Sequence, residues 1–405
     1  MAKKEDHIKL GKQLDLFHVD SLVGKGLPLL LPKGTTIKRI LERFIQDEEI
    51  RRGYQRVSTP ILGKLDLYKT SGHWPHYKND MYPPIKIDGT NYILRPMSCP
   101  HHFMIYKSRS RSYKDLPLRL AELAMQYRKE KSGELRGLMR VRGFELADAH
   151  IFCTPEQLKA EFKGVLDLIK YGMKALGFKG YWFRLSLRDK KKEKFIADEK
   201  LWNKAEKVIK ECMKESKTKY VAEKGQAAFY GPKLDIQMKN IYGKEDTLFT
   251  VQVDFALPKR FKLQYRKKDN TFGTPVVIHR SSIGAIERTI GFLIEYYQGA
   301  FPLWLSPVQV KVITFTDRNA KYAQNIAKQL EDAGFRIEVD DRTESVQKKV
   351  RDAEIEKIPY ILVCGDKEQK AKTIAVRKRS VKGVKFGIKV PSFIKQLQKE
   401  ESEFK

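Results

Sequence analysis

In RPMSCPHHFMIY, residues 95–106, Cys99 stands one proline away from His101 and His102. Cys99 admits three readings: a small buried filler, a nucleophile, or one ligand of a metal whose partners lie elsewhere in the chain. A second cluster lies in RVRGFELADAHIF, residues 140–152. Read as a strand, it sends alternate side chains to opposite faces. One face then carries Arg140, Arg142, Phe144, Leu146, Asp148 and His150, and the other is mostly small and apolar. That collection suits a ligand-binding floor better than a solvated face. Arginine takes anions, a ring takes a flat base and histidine takes a metal. Arg128 follows the preceding strand at the mouth of the same hairpin. Arg288 sits beside Glu287 on an otherwise apolar helix, where an arginine is usually paired or functional. Several arginines about one site suggest a triphosphate. No GxxxxGK[ST] loop is present, so side chains would hold the phosphates.

The elements that must position these groups follow from periodicity. Ile37, Ile40, Leu41, Phe44 and Ile45 after GTT mark a first helix that Gly53 can end. RVSTPIL then reads as a strand, and Pro60 inside it assigns that strand to an edge or a subunit interface. Two strands span 118–152, joined by the polar turn KEKSGELRG. In TPEQLKAEFKGVLDLIKYGMKALGF, Thr154 is a good N-cap, Pro155 suits the first helical position and Gln157 can close a capping box. Leu158, Phe162, Val165, Ile169 and Met173 form its apolar face, with Gly177 as the stop. The lysine-rich stretch 189–224 reads as a solvated helical insertion. FTVQVDFAL and TPVVIHR are strands, and IGAIERTIGFLIEYY is a buried helix. FPLWLSP, residues 301–307, is a junction. Beyond it VQVKVITF, RIEVD, YILVCG and TIAVRKR alternate with helices, one of which packs Tyr322, Ile326, Ala327 and Leu330 on one face and stops at Gly334. The expected architecture is α+β with an antiparallel sheet over residues 1–305, then a small α/β unit with a mostly parallel sheet over 306–405.

Composition narrows the partners. Over 405 residues, Lys plus Arg number 80 against 50 Asp plus Glu, a net charge of +30 that favours a nucleic acid. The apolar runs are too short and too broken by charge for a membrane span, and the N-terminus lacks the apolar core of a signal peptide. Four dispersed cysteines without a CxxC pair predict a reducing, cytoplasmic setting and no disulfide framework.

Three segments resemble the three motifs of class II aminoacyl-tRNA synthetases: the helix and strand with Pro60, the strand-loop-strand with Arg128 and Glu130, and the strand and helix with Gly284 and Arg288. Within that class the chain is most similar to threonyl-tRNA synthetases. The strings KTSGHW, RPMSCPHH, LMRVRGF, DAHIF, AFYGPKLD, TVQVDF and HRSSIGAIER carry the resemblance almost end to end. It implies one Zn²⁺ per subunit held by Cys99, His150 and His279, with His101 and His102 in supporting or structural places. Cys/His/His with an open position is an admissible zinc set.

The resemblance further implies two steps at one site: threonine and ATP, with Mg²⁺, give threonyl-adenylate, and the threonyl group passes to the terminal ribose of tRNA(Thr). Zinc would receive the threonine amine and hydroxyl, so valine would be rejected. Asp148 would accept the hydroxyl proton, with Met97 and Tyr230 also at the amino acid. Arg128 would bind the α-phosphate, Glu130 the adenine amine, and Phe144 and Arg288 the two faces of the base, Arg288 reaching the γ-phosphate. Arg140 would contact phosphate, Gln252 the ribose or substrate, and His73 and Lys233 would serve near transfer. In the last domain Arg351, Glu368 and Arg377 match positions that contact anticodon bases. Leu146 and Thr247 stand where many relatives have Gln, and Thr343 where Asn is usual. Many relatives also carry upstream domains, one of which removes wrongly attached serine. A chain starting at the catalytic domain is expected to form seryl-tRNA with little self-correction. The class further implies a homodimer. Two other readings stay open: a synthetase-like RNA-binding or regulatory protein without catalysis, and a class II synthetase for another amino acid such as proline or histidine.

Overall fold

The computed structural model describes residues 4–189, 195, 196 and 198–404. Its contacts divide the chain into two units, one of residues 19–28 and 41–291 and the other of residues up to 18, 29–40 and 292 onward.

The first unit is built on an eight-stranded sheet. In chain order its strands are β1 (Gln55–Arg56), β2 (Leu118–Tyr127), β3 (Gly143–Cys153), β4 (Trp182–Leu187), β5 (Tyr220–Lys224), β6 (Lys233–Lys239), β7 (Glu245–Asp254) and β8 (Val276–Ala285). Their spatial order is β5-β4-β6-β7-β8-β3-β2-β1. The five central pairings, from β4-β6 through β3-β2, are antiparallel, and the two outermost pairings are parallel.

The pleat decides what meets on the sheet face. Register sets Leu120 opposite His150, Glu122 opposite Asp148, Ala124 opposite Leu146 and Gln126 opposite Phe144. On the other side of β3, His279 lies opposite His150, and Gln252 then lies opposite His279. Residues paired in this way point to the same face, so widely separated parts of the sequence deliver polar groups to one floor. Helix α4 (Leu158–Ala175) packs against β8 through its apolar stripe, with Phe162, Val165 and Ile169 fully buried. Helix α5 (Glu199–Glu215) packs against α4.

Several sequence expectations are corrected here. RVSTPIL is not one strand: pairing stops at Arg56 and residues 57–61 are irregular, so Pro60 lies in a connector, although β1 does occupy the sheet edge as expected. Arg140 and Arg142 precede β3, because a bridge between Arg136 and Arg140 closes the turn before Gly143. The lysine-rich stretch is not simply solvated. Trp202, Ala205, Ile209, Cys212 and Met213 give α5 a buried face, and β5 extends the sheet beyond it. Residues 190–194 of that stretch lie outside the described residues. Ile283 and Gly284 belong to β8, and helix α6 begins only at Ile286 and runs to Tyr297. Thr154 and Gln157 do exchange the expected pair of hydrogen bonds, but in a turn ahead of α4.

The second unit opens with α1 (His7–Gln13), which precedes the helix identified from sequence, and takes in the start of α2 (Pro32–Arg51). Its sheet has the order β10-β9-β11-β12-β13, with β9 (Val310–Thr314), β10 (Ile337–Asp340), β11 (Tyr360–Cys364), β12 (Ile374–Lys378) and β13 (Lys385–Ile388). Two pairings are parallel and two antiparallel, so the sheet is mixed rather than mostly parallel. Helices α7 (Ala320–Asp332), α8 (Val346–Ile355), α9 (Asp366–Ala371) and α10 (Val390–Ser402) complete it. Ala323, Ile326, Ala327 and Leu330 of α7 enter its core. No described helix is long and apolar enough to cross a membrane, and all four cysteines are buried free thiols.

Candidate functional site

Helix α3 (Cys99–Lys107) starts directly on Cys99, and Pro100 occupies the first turn, where its missing N–H has no cost. Cys99 and His102, three residues apart, share a helix face. That face meets His150 of β3 and His279 of β8. One ligand atom each from Cys99, His150 and His279 lies within 4.8 Å of the others, and all three residues are buried. The two imidazoles meet edge to face at 4.6 Å between centroids because their residues are register partners.

The donor atoms fit a cation. His150 Nε2 and His279 Nδ1 are buried and have no hydrogen-bond partner. The remaining nitrogens are tied back. His279 Nε2 lies 2.9 Å from Asp254 Oδ2, and Asp254 Oδ1 accepts from the N–H groups of Ala256 and Leu257. His150 Nδ1 lies 2.9 Å from His102 Nδ1. Two lone nitrogens and a thiol converging in a buried site, each imidazole braced from behind, is the arrangement that holds a tetrahedral N/S-bound metal with a position to spare. Burial, followed by the Asp148 charge, pushes the Cys99 thiol well up. A bound cation would reverse that preference and favour thiolate. Burial and the neighbouring His279 push His150 well below its ordinary value, which keeps its ring neutral. His101 does not join the set: its ring turns edge-on to Tyr68, 6.2 Å away.

The floor lies in a cleft of about 500 Å³ lined by Met97, Cys99, Arg128, Asp148, Tyr230 and Gln252 among others. This volume suits a small-molecule substrate. A second lobe shares Arg128, Glu130, Arg140 and Gln252 and adds Phe144, Thr247, Gly284 and Arg288. Asp148 accepts from Ser98 Oγ, and burial raises its carboxyl despite that bond. The Tyr230 hydroxyl donates to Gln252 Oε1, and its ring lies 5.0 Å from that of His279. The Arg128 guanidinium covers the Phe144 ring at 5.1 Å. Arg140 is turned to Glu130 at 2.7 Å and Glu134 at 2.8 Å. Arg288 donates to the carbonyls of Met139 and Thr247. Gly284, one residue before the end of β8, has φ +69°, and a Cβ there would lie 2.4 Å from the Leu248 carbonyl oxygen. Only glycine allows the turn that aims α6 and Arg288.

His73 is buried, and Ser71 settles its tautomer. Ser71 Oγ donates to the Tyr68 carbonyl at 3.1 Å, so it accepts from His73 Nδ1–H at 2.7 Å. The other nitrogen, Nε2, then keeps its lone pair. Burial, His279 and Arg260 push His73 down to about 3, so the ring is neutral. Lys233 is paired with the buried Asp235 at 3.0 Å. In the second unit, Arg351 is exposed on α8, Glu368 caps α9 by accepting from Gly365 N–H, and Arg377 pairs with Glu354 at 2.8 Å.

The sequence reading did not identify Arg95, Ser98, Glu122, Gln126 and Asp254. A signal existed for two of them: Glu122 and Asp254 are carboxylates within apolar strand runs, LRLAELAMQY and TVQVDF, where an acidic residue needs a reason.

The profile of the tRNA synthetase class II core domain (G, H, P, S and T) matches residues 82–297, and that of an anticodon binding domain matches residues 309–400. A threonine–tRNA ligase of Halalkalibacterium halodurans is 52% identical over 379 residues, 93% of this chain and 59% of that protein. One of Thermus thermophilus is 50% identical over 382 residues, 93% of this chain and 58% of that protein. The chain thus spans about six-tenths of the length of these curated relatives. A crystal structure described as the RNA binding domain of threonyl-tRNA synthetase from Cryptosporidium parvum Iowa II superimposes with a TM-score of 0.92 at 34% identity, covering 98% of each chain.

Proposed function

The chain belongs to the threonyl-tRNA synthetase family of class II synthetases, and on that premise we propose that it is a threonine–tRNA ligase whose amino-acid pocket is built on a Zn²⁺ site. The observation that carries the reading is the convergence of Cys99, His150 and His279 with two partnerless imidazole nitrogens. When bound, the ion supplies a Lewis-acidic position for the threonine amine and side-chain hydroxyl.

The chain's own residues do the rest. Asp148, which accepts from Ser98 Oγ, also accepts a hydrogen bond from the threonine hydroxyl, and a methyl in that place leaves this second acceptor position unfilled. Tyr230 and Met97 bound the amino-acid pocket. The threonine carboxylate attacks the α-phosphorus of ATP, the bond to the β-phosphate oxygen breaks, and pyrophosphate leaves with Mg²⁺. Arg128 stabilises the charge on the α-phosphate oxygens as this occurs. Glu130 accepts from the adenine amine, Phe144 and Arg288 flank the base, Arg288 and Arg140 take phosphate charge, and Gln252 holds the ribose. In the second step the terminal ribose hydroxyl attacks the acyl carbon and AMP leaves. The neutral His73 Nε2 takes the hydroxyl proton, with Lys233 nearby on the floor.

Residues 1–305 are assigned to this chemistry and 306–405 to the anticodon, with Arg351, Glu368 and Arg377 as base contacts. We assign a homodimer as well, on the ground of the class membership alone. The test is ATP–pyrophosphate exchange in pure protein with elemental analysis. Exchange with threonine, absent with valine, and about one zinc per chain are expected. Exchange with another amino acid only, or full exchange without bound metal, overturns the reading.

A further inference from the structure

We propose that His102 and Glu122, neither of them a metal ligand, form an outer relay that fixes which nitrogen of His150 faces the cation and so governs the protein's affinity for it. The inference rests on the metal-binding reading of the triad and goes one layer beyond it.

Glu122 is held from four sides. Its Oε1 accepts from Thr59 N–H at 2.9 Å and Arg95 Nη1 at 3.2 Å, and its Oε2 accepts from Thr59 Oγ1 at 2.9 Å and from His102 Nε2 at 3.0 Å. Arg95 is itself anchored on the Met125 carbonyl at 2.6 Å. Burial would raise the Glu122 carboxyl, but the bonds from His102 and Thr59 and the Arg95 charge outweigh it and hold the group at about 2. An ionised carboxylate only accepts, so His102 Nε2 carries a hydrogen. Between His102 Nδ1 and His150 Nδ1, 2.9 Å apart, one hydrogen can lie. Placed on His150, it makes Nδ1 the donor and leaves Nε2 as a lone pair facing Cys99 and His279. Placed on His102, it leaves Nδ1 of His150 as an acceptor and turns an N–H toward the other two ligand atoms, which cannot ligate.

An imidazole that gives its single hydrogen to Glu122 through Nε2 can only accept at Nδ1, so the relay places the shared hydrogen on His150 and selects the competent tautomer. His102 is fully buried and Glu122 is 4% exposed. An apolar pair would fill that space at lower desolvation cost. Burying a histidine–carboxylate pair behind a ligand is reasonable where the pair orients that ligand and raises its basicity.

The experiment strips the full-length protein of metal and measures Zn²⁺ affinity by chelator competition and the visible spectrum after Co²⁺ loading. H102F fills the space without an acceptor, whereas H102N keeps an oxygen near the position of Nδ1. H102F is expected to bind about 10–100-fold more weakly, with altered cobalt bands, and H102N to recover most of the loss. Equal affinity and spectra for H102F and wild type overturn the relay. Should H102F fail to fold, nitrogen NMR of histidine in zinc-loaded wild type decides alone. A metal-bound Nε2 and a protonated Nδ1 on His150 support the relay, and ligation through Nδ1 overturns it. C99A separates the two layers. If it binds as wild type does, the triad reading falls and the relay with it. If C99A loses the ion while H102F keeps it, only the relay falls.

Discussion

The floor of the eight-stranded sheet and the interior of the C-terminal unit both bury charged groups, but they treat them differently. In the C-terminal unit the buried cations are satisfied from within. Lys349 donates to the carbonyl and hydroxyl of Thr314, and Lys311 pairs with Glu338 and Glu356. On the catalytic floor, His150 Nε2, His279 Nδ1, Gln126 Nε2 and Ser281 Oγ are buried and lack partners. Each such atom costs about 1–3 kcal/mol when nothing binds it. A unit whose buried lysines are paired internally meets its partners through exposed side chains. A unit with partnerless polar atoms on its floor offers them to a ligand. The first predicts many small contacts, and the second a few large ones.

The largest effect tests the open floor. C99A is expected to lose bound zinc and to lower threonine-dependent exchange by about 1000-fold, the size of the several kcal/mol a Lewis-acid site supplies. Metal analysis and exchange assays read both. R128A should follow, with exchange lowered by about 100–1000-fold and threonine binding little changed. R128K should recover only part of the loss, because lysine lacks the planar fork. R377A probes the other region. Exchange should stay at the wild-type level while the KM for tRNA in charging rises about tenfold. An R377A chain that cannot activate threonine would break the comparison.

A smaller effect lies in the acid range. The Glu122 carboxyl sits at about 2 when folded, against an ordinary value of 4.5. Its contribution to stability is therefore full above about pH 4.5 and is lost as pH falls toward 2. E122Q removes that titration, so the variant's unfolding free energy should vary less with pH across this window in urea melts. The smallest effect is expected at Arg342, half-exposed and paired with Asp340 and Asp352. R342A should leave the melting temperature almost unmoved, since exposed pairs of this kind contribute little.

The hairpin of β2 and β3, the alternation that places Phe144, Asp148 and His150 on one face, and the helices α4, α6 and α7 could all be read from periodicity. The metal set could not. Nothing in the spacing of 99, 150 and 279 distinguishes them from other histidines and cysteines until β3 and β8 pair in register. Resemblance supplied what periodicity lacked. Arg140 and Arg142 were assigned to the strand because a two-residue period extends formally through Gly143, whereas the tight turn beside it ends the ladder. Strand β5 was hidden within a lysine-rich stretch, and the mixed order of the C-terminal sheet depends on pairings that local sequence does not encode. Glu122 and Asp254 escaped notice for the same reason, since their meaning lies in what faces them across the fold.

The three converging side chains come from a helix start and from the middles of two strands, separated by long tracts of sequence. An ion gripped there would act as a clasp on the chain. Its binding energy is shared with folding, because the unfolded chain holds no such grouping. Amides along α3 and the facing stretches of β3 and β8 should then exchange hydrogen more slowly once the ion is in place.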